Sequence, residues 1–419
     1  MKFGLFYEMQ LPRPAGAETW DPAAESRLYA ETLDQVGLAD RLGFSYVFAA
    51  EHHFLEEYSH SSAPELWLAA LSQRTTNIRL GHGIALTLPA YTHPARMAER
   101  LAVLDVLSGG RVEFGSGQSS TAMELGGFGI APDDRRDMWE EATREICNML
   151  ALTPYPGFEG RFFRMPSRNV IPKPVQRPHP PLWVAATRPQ TSAVAARFGM
   201  GSLGLGFETP AAVAARVEDY WRIVVDECVP IGRAVNPGVA ALISLMCAET
   251  DDEAQRRSAD GPAFFSFALD HYVNPATGAQ HVPGVTNLYR SFIDSSAPPA
   301  ARPGPVRLAR RAAAAGRSVL GRIGSRSERL AEGPQPSAGP AIGSVETVRR
   351  RIQRFEDAHI DVLIFVAQTG TRRHEHIMES IERFGREVLP EFRERHETAH
   401  RRWRSQRLSR LRFPDNSSI

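Results

Sequence analysis

Glu51-His52-His53-Phe54 is the stretch of this chain best equipped for chemistry. A carboxylate and two imidazoles stand directly after Tyr46-Val47-Phe48-Ala49-Ala50, a short apolar run of strand formers. An imidazole titrates near neutral pH, so His52 at a sheet rim could act as general acid or base. The other reading of His52 is a hydrogen-bonded core histidine. His82 and His93 would extend the group toward a metal site. No ligand spacing recurs, however, and His374-Glu375-His376 lacks the i, i+4 pair of a helical zinc motif, so no metal is assigned. Thr187, Arg188, Gln190 and Thr191 place hydroxyl, guanidinium and amide groups where a strand gives way to a helix. Amides at a helix N-terminus favour a phosphate there. A routine N-cap by Thr187 ahead of Pro189 explains the same residues.

These groups need a scaffold, and the chain supplies a repeating one. Strands are predicted at Lys2 to Tyr7, Tyr46 to Ala50, Ile78 to Ile84, Arg111 to Phe114, Leu182 to Ala186, Gly201 to Leu205, Val239 to Cys247 and Ile360 to Val366. Helices are predicted between them, among them Ser26 to Leu42, Pro64 to about Thr76, Asp133 to Leu152 and Val345 to Ala358, with His374 to Phe392 closing the series. Eight strands each followed by a helix predict an α/β (β/α)8 TIM barrel over 1–392, with its site at the C-terminal strand ends. Glu51 to His53, His82-Gly83, Gly115 to Gln118, Thr187 to Thr191 and Gln368 would share that rim.

Two insertions break the rhythm, after the fourth and seventh strands. Thr153 to Pro181 holds eight prolines and reads as an ordered surface excursion. The stretch 260–342 begins aromatic and turns rich in Pro, Ala and Gly, with eight arginines from Ser296 to Ile342, and its second part is expected to be mobile. Beyond the barrel, 393–419 forms an arginine-rich extension, expected to be helical or frayed at the surface.

Bulk properties exclude several classes. With 42% hydrophobic and 23% charged residues the 419-residue chain is an ordinary globular protein, and a net charge of +1 gives no pull toward nucleic acid or anionic membrane. Three scattered cysteines, Cys147, Cys228 and Cys247, fit a reducing compartment. The apolar N-terminus is too short for a signal sequence, so a cytoplasmic, soluble protein is expected.

The order of several motifs resembles the bacterial luciferase-like flavin monooxygenases. They are Leu42-Gly43-Phe44 leading to Glu51-His52-His53-Phe54, Ile78-Arg79-Leu80-Gly81, His93-Pro94, Leu107-Ser108-Gly109-Gly110-Arg111 and Phe114-Gly115-Ser116-Gly117. Pro180-Pro181-Leu182-Trp183-Val184-Ala185, Ile342-Gly343-Ser344 and Glu387-Val388-Leu389-Pro390 follow. The resemblance implies a TIM barrel that binds reduced FMN from a separate reductase, adds O2 at the flavin C4a and oxidises a hydrophobic organic molecule. The deazaflavin F420 with hydride transfer is the alternative, and a non-catalytic subunit a third reading. It implies a catalytic His52 and a flavin ring backed by a non-proline cis peptide near His82, Gly83 and Ile84. Where the luciferases bind the flavin phosphate through an arginine after the fourth strand, this chain has Gln118. Their Glu-Ser pair after the fifth appears as Ala186-Thr187. The phosphate role then falls on Thr187, Arg188, Gln190 and Thr191. Tyr7, Phe162, Phe163 and Phe264 are expected to line the substrate pocket, and a homodimer or larger assembly is expected.

Overall fold

The computed structural model describes residues 1–14, 19–206, 208–258, 260–296 and 339–419. The apolar runs form strands in chain order: Lys2–Tyr7 (β1), Tyr46–Ala49 (β2), Arg79–Leu86 (β3) and Val112–Gly117 (β4). Tyr155–Glu159 (β5) and Arg164–Arg168 (β6) follow, then Leu182–Ala185 (β7), Gly201–Leu205 (β8), Val239–Cys247 (β9), Ala341–Gly343 (β10) and Val362–Val366 (β11). Eight of them pair in parallel in the ring β1-β2-β3-β4-β7-β8-β9-β11, and β11 returns to β1. This is the closed TIM barrel that the alternation of elements predicts. Among the described residues, no helix is long and apolar enough to cross a membrane.

Strand alternation divides the apolar residues into two cores. Phe6, Tyr46, Phe48, Trp183, Leu203, Leu242, Val362 and Ile364 cluster in the barrel lumen. Phe3, Leu5, Tyr7, Val47, Leu80 and Phe114 pack outward against the helices. One register therefore separates residues that can reach the mouth from residues that cannot.

The fourth strand runs further than its apolar residues suggest. Gly115-Ser116-Gly117, which reads as a turn, continues β4 because β3 passes too close for side chains. A Cβ on Gly115 would lie 2.0 Å from the His82 carbonyl oxygen, and one on Gly117 would lie 2.3 Å from Ile84 Cδ1. The Gly83–Ile84 peptide bond in this wall is cis.

The insertion after β4 is the antiparallel hairpin β5-β6, seated on the helix Arg135–Ala151 through Tyr155, which donates to Glu145 (2.7 Å). After β9, β10 adds to that strand in parallel, a strand too short for periodicity to reveal. The helices Gly261–Val273 and Leu288–Ser296 lie in the same insertion. The expectation of mobility concerns residues that fall mostly at 297–338, outside the described ones. The closing helix ends at Glu387, and a second begins at Leu389, with Pro390 in its first turn where a missing N–H is tolerated.

The arginine-rich extension is built into the fold. Arg404 is 2% exposed, donates to Asp361 (2.7 Å) and to the Pro237 carbonyl (3.0 Å), and lies over the Trp221 ring. Beyond it the chain closes the floor of the barrel. The Ser418 carbonyl accepts from Lys2 Nζ (2.7 Å) and Tyr46 (2.9 Å), and the Ser418 hydroxyl donates to Glu113. Buried Glu113 also takes Arg79 and the Trp183 indole. Only a folded base explains so many buried charges in a segment whose composition reads as surface.

Candidate active site

The rim after β2 converges on His52. Its Nδ1 lies 2.9 Å from Glu124 Oε1 and its Nε2 lies 3.3 Å from Glu8 Oε2. Glu8 follows β1, and its other oxygen accepts from Tyr58 (3.0 Å), whose ring meets His52 edge-on. Glu124 comes from the short helix Ala122–Gly127 after β4, where Thr121 caps the first turn. Fully buried, Glu124 also accepts from the His53 amide (3.0 Å), the Ser119 hydroxyl (2.6 Å) and the Thr121 hydroxyl (2.8 Å). So many donors hold the carboxylate in place and, through it, the imidazole.

Charge follows from this geometry. Burial disfavours an imidazolium, but Glu124 and then Glu8 outweigh it and push His52 up to about 9. Burial likewise opposes ionisation of Glu124, yet His52 and the two hydroxyls bring it down to about 2. Glu8 is raised by burial, with His52 only partly offsetting it. His52 is therefore a charged ring at neutral pH, 21% exposed, with Nδ1 fixed on Glu124 and Nε2 toward Glu8. Such a group holds a proton at Nε2 and can donate it.

Neighbouring groups complete the rim. Glu51 accepts from the Leu86 amide (2.8 Å) and pairs with His53 (3.1 Å), tying the end of β2 to that of β3. Gln368, after β11, exchanges two hydrogen bonds with the Gln10 backbone (3.0 and 2.8 Å). Glu57 accepts the amides of Leu288 and Tyr289, which anchors the late insertion above the mouth, and Phe265 meets Tyr58 at 5.8 Å.

The expected site residues fall into two groups. Gly83 faces the lumen rings of Phe48 and Phe6, Ile84 packs on the lumen cluster, and Phe264 joins that cluster beside Tyr289 and Phe292. Gln118 leaves β4 half-buried, one residue before Ser119. Ala186 is buried at the end of β7, while Thr187, Arg188 and Gln190 are exposed and Thr191 half-buried at the start of the helix Pro189–Arg197. The Arg188 side chain makes no ion pair among the described residues.

The remaining expected residues lie elsewhere. Tyr7 alternates with lumen-facing Phe6, so it points into the helix layer and donates to Gln35 (3.0 Å). His82 alternates with Gly81 and Gly83 and is buried on the outer side, where burial takes its imidazole down to about 4. Phe162 and Phe163 ride the hairpin on the outer helix layer, Phe163 against His93 and Phe162 under Arg161. Sequence reasoning missed Glu8, Tyr58 and Glu124. Glu8 had a signal, as the first residue after a barrel strand, whereas nothing in a Gly-flanked short helix points to Glu124.

The chain belongs to the luciferase-like monooxygenase family, whose model matches residues 1–361. It is 30% identical over 272 residues to limonene 1,2-monooxygenase of Rhodococcus erythropolis, covering 63% of this chain and 66% of that one. It is 26% identical over 275 residues to the oxygenase component of the flavin-dependent trigonelline monooxygenase of Acinetobacter baylyi, covering 64% and 71%. An F420-dependent hydroxymycolic acid dehydrogenase of Mycobacterium tuberculosis is 31% identical over 167 residues, 39% of this chain and 45% of that one. This chain thus spans less than two thirds of the limonene and hydroxymycolic acid enzymes. A crystal structure of the monooxygenase RslO1 from Streptomyces bottropensis shares the fold, with a TM-score of 0.67 at 23% identity over 94% of this chain and 100% of that one.

Proposed function

We propose that this luciferase-like family member is the oxygenase of a two-component system, using reduced FMN from a separate reductase and O2 to oxidise a hydrophobic organic molecule. The observation that carries the reading is His52, charged between Glu124 and Glu8 beside the Gly83–Ile84 wall. The residues present fit a flavin. Gly81, Gly83 and Gly117 let Phe48, Phe6 and Ile84 pack directly against β3 and β4, and those apolar groups offer a wall against which a planar ring can lie. At the turn after β7, Arg188, which makes no ion pair among the described residues, with Thr187, Gln190 and Thr191 offers a cation, hydroxyls and helix amides to its phosphate. Bound reduced flavin supplies the electrons that activate O2.

The protein's own part is positional. Glu124 orients His52, and His52 holds a proton at Nε2 for transfer to the developing oxyanion or leaving oxygen. Tyr58 and Phe265 cover the mouth and limit water. Leu66, Val103, Val106 and Leu107 leave apolar surface on the second and third barrel helices, which supports a homo-oligomer.

The F420 relative and Gln118 in place of an arginine favour hydride transfer with F420 as the second reading. Anaerobic titration with reduced FMN and, in parallel, reduced F420, followed by air, tests both. Tight binding of reduced FMN and oxygen consumption that falls at least tenfold in His52→Ala are expected. Binding of F420 alone would replace the proposal with the second reading. Binding of FMN without oxygen-dependent turnover would point to a flavin-binding subunit, and turnover indifferent to His52→Ala would remove His52 from the mechanism.

A further inference from the structure

A group of hydrogen-bond donors without acceptors lies away from His52, on the loop after β11. Arg372 is 8% exposed. Its Nη1 donates to the carbonyls of Leu245 (3.1 Å), Ala367 (3.0 Å) and Val366 (3.4 Å), which tie the ends of β9 and β11 together. Those three carbonyls account for one nitrogen only. Arg372 Nε and Nη2 and the hydroxyl of fully buried Thr369 have no hydrogen-bond partner among the described residues. Both side chains aim at the start of the 13-residue helix Gly261–Val273: a Cβ on Gly261 would lie 2.5 Å from Thr369 Oγ1 and 2.7 Å from Arg372 Nε.

No side chain caps that helix. Asp260 occupies the N-cap position; its Oδ2 accepts from Tyr289 (2.7 Å) and from Thr371, and its carboxylate favours the Arg372 charge from nearby without forming an ion pair with it among the described residues. A buried guanidinium with its Nε–Nη2 edge unused among the described residues, a hydroxyl and the positive end of a helix therefore meet at one corner. Each of these favours an anion, and together they occupy the loops after β9 and β11, the last two strands of the barrel, where TIM barrels frequently hold phosphate.

We propose that this corner is an anion site, taking a phosphate or carboxylate group carried by the organic substrate. That identification of the carrier rests on the proposed oxygenase reading; the anion site does not. Only a glycine can lie over Thr369 and Arg372, and the helix N-terminus must lift from them to admit the anion. One helical turn on, Phe265 meets Tyr58, which faces His52, so the anchor stands on the order of 15 Å from the reacting end. The substrate is then an amphiphile, apolar in the lumen and anionic at its far end.

Titration of the full chain with inorganic phosphate at constant ionic strength, by calorimetry and by hydrogen exchange at 260–265, tests this. Phosphate should bind the wild type and expose those amides. Thr369→Val should raise the phosphate concentration needed to expose 260–265 roughly tenfold, and Arg188→Ala should leave that exposure unchanged. Arg372→Gln should abolish it; if that variant does not fold, Thr369→Val decides, because it keeps the three Nη1 bonds. No binding, equal binding in Thr369→Val, or loss only in Arg188→Ala would overturn the site. Reduced FMN is compared with reduced riboflavin on the same variants. If Thr369→Val abolishes the advantage of FMN over riboflavin, the anion is the flavin's own phosphate and the substrate assignment falls.

Discussion

Replacing Glu124 by Gln preserves shape and removes one charge from the group that holds His52. Moving an imidazole from 6.5 to about 9 corresponds to roughly 3 kcal/mol of preference for its charged form. Burial works against that preference, and Glu124 is the larger of the two carboxylates that create it, by charge and by a 2.9 Å hydrogen bond. With Glu8 left alone, the ring should titrate about one to two pH units lower. Reduced-flavin turnover that needs the acid form of His52 would then lose its alkaline limb near pH 7 to 8 rather than near 9. At pH 8 the maximal rate should fall several-fold with the flavin KM little changed, since Glu124 touches His52 and not the glycine wall. Glu124→Asp should restore part of the limb. A side-chain 15N titration of His52 reads the same quantity without turnover. An unmoved His52 titration in a folded Glu124→Gln protein would refute the assignment of Glu124 as its positioning residue.

Two further outcomes follow from buried charges. Because the folded-state value of His52 is raised, its contribution to stability is complete below about 6.5 and is lost as the pH rises through about 9. Denaturant midpoints of wild type should therefore drop across that window more than those of His52→Gln, and parallel drops would contradict the charged ring. Arg404→Leu leaves Asp361 buried with only His400 and the Val239 amide, and should cost about 3–5 kcal/mol in urea unfolding. A loss below about 1 kcal/mol would show that the extension does not hold the base.

The parallel barrel was legible because each strand is a short apolar run between helical periodicities, a pattern written locally. What escaped depends on distance in sequence. Gly115 and Gly117 look like turn residues until β3 is known to run against them. The arginines after residue 393 look solvated until Asp361 and Trp221 are found behind Arg404. In the site, Glu51 to His53 announced themselves by type and place. Position along the strand suggests a rim place for His82, and Tyr7 is expected in the substrate pocket, whereas the facing of each is set by its neighbours Gly81 and Phe6. Glu124 sits 72 positions from His52 and acquires its meaning only through the fold.

The closed floor bears on the order in which the molecule assembles. Lys2 and Ser418 are 416 positions apart, and Tyr46 and Ser418 are 372 apart, so their contacts carry nearly the largest loop-closure entropy the chain offers. Most neighbouring strands pair across shorter loops, but β11 meets β1 at Lys2 and Val362, a closure almost as long as that of the base. Closing the tube and sealing its base therefore carry similar entropic costs, and the base contacts of Lys2 and Tyr46 brace the same seam that β1 and β11 close. Glu8, His52, Tyr58 and Glu124 all precede residue 125, so their contacts with one another span only the first part of the chain and not that long closure.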